Sequence, residues 1–437
     1  MTAALTILVF IAAFTAMYRA SAGSHVAVLA GAAAVMMIGT MSGTYSLRMA
    51  VDAIYFETLA LIFGMSAIST LLARSGLFVF LAAGTAEHSK GNVTWVLVMM
   101  SLVTYVISLT TNNIATMVVV LPITLNICYR MEINPVPLIV AELFAANLGG
   151  ASTMIGDFPN MIIASAGNLH FNDFISGMMV PCLVLLAGSL LFFETRMDRW
   201  SGAVSARYAQ VLDQDEVLAP TVDKAMLWTG IWIFGAAVTG FVFAGILNVR
   251  PGWIAFIAGL GAMAVGRFKD EDAFHAYGGH DILFFIGLFV MVGGLMAAGI
   301  LEWMIWLIES VGSRQDGTRA VVLMWVVAGL TLFVGGGTTA AVFAPVAASL
   351  SLGYENQASW WAVSLGIMAG SSGALSGATS GSLVMSHYTR FIARHPEMLK
   401  AIPSGQGLTH REYMRWAMPL TGLFLLASTI YIAAIAG

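Results

Sequence analysis

Apolar runs about as long as a bilayer is thick recur along most of this chain, and no other feature restricts its fold as tightly. A helix rising about 1.5 Å per residue needs about 20 apolar residues to cross the hydrocarbon. Candidate spans fall near 2–18, 25–41, 54–72, 93–109, 114–128, 136–148, 174–193, 225–247, 252–265, 281–300, 319–334 and 414–436. Several are too short for a full crossing. Around 110–165 and 335–388 the apolar pattern is broken by Gly and polar residues. Unpaired backbone groups cannot face lipid, so these pieces must lie against protein or line a watery cavity. The fold expected is an all-α integral membrane protein of about 10 to 12 membrane segments, with re-entrant hairpins or broken helices.

Composition supports this and excludes other classes. Hydrophobic residues make up 59% and charged residues 10% of the 437, against about 25% charged in soluble chains. A net charge of −4 without a basic stretch leaves nucleic-acid binding no electrostatic footprint. Cys128 and Cys182 are the two cysteines, too few for a disulfide framework or a thiolate cluster, and no cofactor is expected. There is no His-Glu-x-x-His motif and no P-loop. The first run is read as a retained helix rather than a secretory signal, because no basic residue precedes it and Arg19 follows it.

Two polar segments divide the chain. One spans 194–224 with Arg196, Arg199, Arg207 and Lys224, and the other spans 388–415 with Arg390, Arg394, Lys400, Arg411 and Arg415. The positive-inside bias puts both in the cytoplasm. The first also holds Asp213, Asp215, Glu216 and Asp223 and reads as a solvated linker. Residues 1–193 then form one membrane repeat and 225–437 a second. Their sequences echo each other: Phe56 with Phe285, 229 residues apart; Pro122 with Pro345, 223 apart; Gly149 through Gly156 with Gly370 through Gly377, 221 apart. A repeat of this size, interrupted at matching places, is the mark of a secondary transporter with its site at the repeat interface.

Polar side chains concentrate where a membrane makes them costly. Thr110-Thr111-Asn112-Asn113 ends one run, and the stretch from Asn147 to Asn160, with Thr153, Asp157 and Pro159, interrupts the next. An ionised carboxylate at a helix centre costs about 2.5 to 3.5 kcal/mol on insertion, so Asp157 is expected to face a cavity or a partner and to exchange a proton for a cation. The alternative is that it caps the half-helix that Pro159 begins. Asn112, Asn113, Asn147 and Asn160 offer carbonyl and amide groups to an ion, or else bond between helices. Glu142 and Glu57 either line the same cavity or sit in salt bridges and interfaces. His387 is a proton relay or a boundary residue. In the second half, Thr338, Thr339, Ser371, Ser372, Thr379 and Ser380 are weaker ligands, and the glycines at 366, 370, 373, 377 and 381 fit close helix packing.

With these residues in view, the chain resembles the ion transporter superfamily, in the branch of arsenite permeases, NhaD-type sodium/proton antiporters, the melanosomal P protein and citrate transporter-like proteins. The similarity is strongest from Asn112 to Phe174, following a pattern of Ala-Glu-x-x-x-x-Asn-x-Gly-Gly and Ile-Gly-Asp-x-Pro-Asn, with Phe171-Asn172-Asp173-Phe174 after it; Leu283 to Gly294 is similar too. The resemblance implies two inverted repeats, each with a re-entrant hairpin, around an ion path. The chain departs from the pattern in having Asn112-Asn113 for Asp-Asn, Phe158 for proline, and few polar groups in the second half. Those departures point to a specialised branch serving an organelle membrane derived from the inner membrane, where ion or proton movement would accompany mineral formation.

The function expected is secondary active transport of an inorganic ion, coupled to protons by antiport, at a site of Asp157, Asn112, Asn113, Asn147, Asn160, Thr153, Thr338, Thr339 and Ser372. Its partners would be the ion, protons and the lipid bilayer of a bacterial inner membrane or a derived organelle, with a homodimer as one arrangement. Two rivals are a structural protein with a decayed site and an intramembrane serine protease using Gly370-Ser371-Ser372-Gly373 with His387.

Overall fold

The computed structural model describes residues 2–19, 23–88, 92–197, 222–266, 274, 277–311, 317–351, 357–402 and 407–436. Most of the 194–224 linker, with Arg199, Arg207, Asp213, Asp215 and Glu216, lies outside the described residues.

Among the described residues the chain is helical throughout. The first half runs α1 (Thr2–Arg19), α2 (Ser24–Ser42), a short α3 (Leu47–Asp52), α4 (Phe56–Arg74), α5 (Leu77–His88), α6 (Val93–Ser108), α7 (Asn113–Met131), α8 (Val136–Ser152), α9 (Phe158–Gly167) and α10 (Phe171–Phe174), which passes through one π turn into α11 (Val180–Met197). The second half runs α12 (Lys224–Leu247), α13 (Pro251–Gly266), α14 (Gly279–Ala297), α15 (Ile300–Val311), α16 (Thr318–Val334), α17 (Gly336–Ser351), α18 (Ala358–Gly373), α19 (Gly381–Arg394) and α20 (His410–Ala436). Seven of the spans are long and apolar enough to cross a bilayer, and five shorter apolar helices accompany them. That agrees with the expected 10 to 12 membrane segments.

The two halves repeat one element order. α4 and α14, α5 and α15, α7 and α17, and α9 and α19 each begin 223 residues apart. The pairing of Phe56 with Phe285 is therefore corrected: Phe56 opens α4, and its counterpart is Gly279, which opens α14. An aromatic cluster common to both starts had shifted the sequence register by six residues. Packing follows the repeat as a pseudo-twofold arrangement requires. α4 packs on α13 and α2 on α14; α6 packs on α8 and α16 on α18; α9 packs on α17 and α7 on α19. α8 and α18 pack against each other. All residues of these two helices are buried, so they form the centre of the molecule.

Both expected interruptions are present in each half. α6 and α7 form a hairpin whose tip is residues 109–112, and α16 and α17 form one whose tip is Gly335 alone, at φ +88°, which a side chain would strain. α8 breaks at Thr153 before α9 starts at Phe158; α18 breaks at Ala374 before α19 starts at Gly381. Pro122 and Pro345 sit inside α7 and α17, where each removes one helical N–H donor. α5 and α15, missing from the expected spans, are a matched pair of 12-residue helices, too short to register as crossings.

Candidate ion-binding site

The first-half hairpin tip meets the break between α8 and α9. Asn113, at the first turn of α7, donates from Nδ2 to Asn147 Oδ1 at 3.0 Å and to Asp157 Oδ2 at 2.8 Å. Its own Oδ1 lies 2.8 Å from Ser108 Oγ at the end of α6. Asn113 is 1% exposed and Asn147 4%, while Asp157 is half-buried. Gly150 makes this approach possible, since a Cβ there would lie 2.9 Å from Asn113 Oδ1 and 3.0 Å from Asp157 Cβ.

Asp157 serves two of the expected roles at once. It is the N-cap of α9, with Oδ1 accepting the Phe158 N–H at 2.9 Å, and its other oxygen takes the Asn113 amide. The break itself is braced by Asn160, 2% exposed, whose Nδ2 lies 2.9 to 3.1 Å from the carbonyls of Gly150, Ala151 and Thr153. Those carbonyls lost their helical partners when α8 ended, and an amide on the next helix replaces them. Thr153 Oγ1 donates to Leu109 O at 2.7 Å, tying the break to the hairpin tip.

The second half completes the site with hydroxyls. Asn147 Nδ2 donates to Ser372 Oγ at 3.0 Å, and Ser364 Oγ donates to Asn160 Oδ1 at 2.8 Å, both from α18. A cavity of about 10 Å³ lies here, lined by Asn147, Asp157, Asn160, Ser364, Met368 and Ser371 among others. That is room for about one water-sized occupant.

The structure thus brings together Asn113, Asn147, Thr153, Asp157, Asn160 and Ser372 of the expected residues. It places three elsewhere. Asn112 is the N-cap of α7 and its Oδ1 accepts the Ala115 N–H at 2.8 Å. Thr339 Oγ1 bonds back to Gly335 O at 2.9 Å, and Thr338 borders a separate apolar pocket beside Phe10, Phe14 and Val334. Sequence reasoning passed over Ser364 and Ser108. Ser364 stands seven residues before Ser371, the spacing of one helix face, and that spacing was the available signal. The second-half counterpart of Asp157 as the residue preceding the second half-helix is Ser380, since two extra residues lengthen that break. Phe158, which stands where the family pattern has proline, packs edge-on against Phe285 of α14 at 5.5 Å. Ser372 Oγ donates to Met368 O at 2.8 Å, and among the described residues no imidazole bonds to it, so the protease dyad with His387 is not assembled.

This fold and buried polar crossing define an integral membrane transporter. The citrate transporter (CitMHS) family model matches residues 5–366, and the chain belongs to that family. It is 59% identical over 433 residues to the magnetosome protein MamN of Magnetospirillum gryphiswaldense and 58% identical over 434 residues to that of Paramagnetospirillum magneticum, each covering 99% of both chains. The crystal structure of the Alcanivorax borkumensis YdaH transporter has the same fold, with a TM-score of 0.61 at 14% identity over 88% of this chain and 86% of that one. The family resemblance read from Asn112 to Phe174 is borne out.

Proposed function

We propose that this transporter exchanges an inorganic cation for protons by alternating access around Asn113, Asn147, Asp157 and Asn160. The observation that carries the reading is the contact of Asn113 with both Asn147 and Asp157. It puts one carboxylate and neutral amides beside a cavity that two repeats share. A carboxylate favours a cation or a proton at the same place, and the two then compete. Citrate is disfavoured as cargo: Asp157 would repel a tricarboxylate, with no Lys or Arg among the lining residues to offset it. The repeats 1–193 and 225–437 would rock about the α8 and α18 crossing, with 194–224 as the cytoplasmic connection. The relatives named as magnetosome proteins support placement in the magnetosome membrane.

The test is reconstitution in liposomes containing a pH-sensitive dye, with Na⁺, K⁺, divalent metals, arsenite and simple anions added in turn. One cation is expected to drive proton movement, and Asp157→Asn to abolish it. Proton movement that persists in Asp157→Asn would remove this carboxylate from the exchange. No movement with any ion would favour a structural role.

A further inference from the structure

We propose that Glu142 is a second proton-binding site, a carboxylic acid that holds its proton in the resting transporter and passes it between the Asp157 cluster and the face where α7 turns into α8. Glu142 lies in the middle of α8 and is 1% exposed. Thr124 of α7 donates its hydroxyl to Oε1, while Oε2 is buried and has no hydrogen-bond partner among the described residues. Its place along the helix is that of a relay. It lies five residues from Asn147 and six from Val136, hence about 7.5 Å and 9 Å along the axis at the usual rise.

Among the described residues no cation compensates this carboxyl. α8 packs against α6, α7, α11, α18, α20 and the π turn before α11. α6, α18 and the π turn hold no Asp, Glu, Lys, Arg or His. The charged residues of the other three, Arg130, Glu194, Arg196, His410, Arg411, Glu412 and Arg415, sit toward helix ends. The remaining titratable groups are Cys128 and Tyr129 of α7, Tyr105 of α6, Cys182 of α11, and Tyr413 and Tyr431 of α20. Tyr105 bonds Ser152, Tyr413 donates to Ser372 O and Tyr431 to Gly177 O, and none of the six supplies positive charge. An ionised glutamate there would keep an uncompensated charge in a medium of low dielectric, and binding a proton removes it. During exchange the proton leaves the carboxyl for water admitted on either side and is replaced from the opposite one.

Protonation is read by infrared spectroscopy of the full chain in liposomes, independently of transport; the relay role rests on the exchange proposed above. Wild type is expected to show the C=O stretch of a protonated carboxyl, kept in Asp157→Asn and lost in Glu142→Gln. The same band in Glu142→Gln as in wild type overturns the assignment. Should Glu142→Gln fail to fold, Thr124→Val decides: loss of its hydrogen bond is expected to shift the band, and an unshifted band overturns the assignment. In the dye assay, Glu142→Gln should slow ion-driven proton movement on the order of a hundredfold, the usual worth of a positioned proton-transfer group. Wild-type rates in Glu142→Gln overturn the relay. Absence of flux in wild type with every ion would sink the exchange reading, and with it the relay, while leaving the infrared assignment intact.

Discussion

The amide of Asn147 donates to the hydroxyl of Ser372 across 225 residues of chain, at 3.0 Å, where α8 and α18 pack together. Both groups are committed elsewhere as well. Asn147 accepts from Asn113, Ser372 Oγ donates to Met368 O, and Tyr413 donates to Ser372 O at 2.8 Å. The bond therefore connects the hairpin tip of one half to the core helix of the other.

Ser372→Ala should leave the Asn147 amide short of a buried acceptor, a loss of about 1 to 3 kcal/mol in stability. Thermal unfolding in detergent and ion-driven flux should both decline. Wild-type values in both measurements would mean that the inter-repeat bond does not matter.

Two neighbouring asparagines should behave differently. Asn113→Ala strips an amide from both Asp157 and Asn147, so ion-dependent flux should fall to background. Asn112→Ala removes only a helix cap, worth about 1 kcal/mol, and should act on unfolding rather than on flux. Equal loss of flux in the two variants would return Asn112 to the ion site.

Asn160→Asp replaces the amide that faces three carbonyls with a group that repels them. Each unmet buried acceptor costs about 1 to 3 kcal/mol, so this variant should unfold well below the wild type. A melting temperature equal to wild type would show that the break between α8 and α9 is held by other contacts.

Gly149→Ala and Gly370→Ala test the repeat itself. An added Cβ at Gly149 runs into the carbonyl oxygen of Tyr105 on α6, and at Gly370 into that of Ala328 on α16, the glycines being 221 residues apart and the two carbonyls 223. Overpacking of this kind costs about 1 to 3 kcal/mol, and the two variants should lose similar amounts. A large loss in one and none in the other would show that the equivalence is only topological.

Much of this architecture was legible in the chain because the bilayer leaves so few options. Length and apolarity marked most crossings, and the Gly and Pro clusters marked both breaks, since unpaired backbone needs shelter from lipid. Asn147, Asp157 and Asn160 were legible as polar groups too costly to be exposed. Asn112 and Asn113 were not separable, because adjacent residues of a helix start point about 100° apart and only packing decides which one turns inward. Thr338 and Thr339 are candidates because they stand near the repeat position of Asn112 and Asn113, and packing turns them elsewhere. Ser364 shares a helix face with Ser371, but its role depends on α18 lying beside Asn160 of the other half, which that spacing alone does not encode.

The hairpin tip of the second half is a lone glycine, and its second helical break begins α19 after Ser380 instead of an acid. At the proposed ion site Asp157 is therefore the one carboxylate among the described lining residues. Swapping one proton for a monovalent ion there leaves the pocket at constant charge, and such a cycle runs blind to voltage. A divalent passenger would add one positive unit on each loaded passage, so the electrical potential across the membrane would drive it one way and oppose its return.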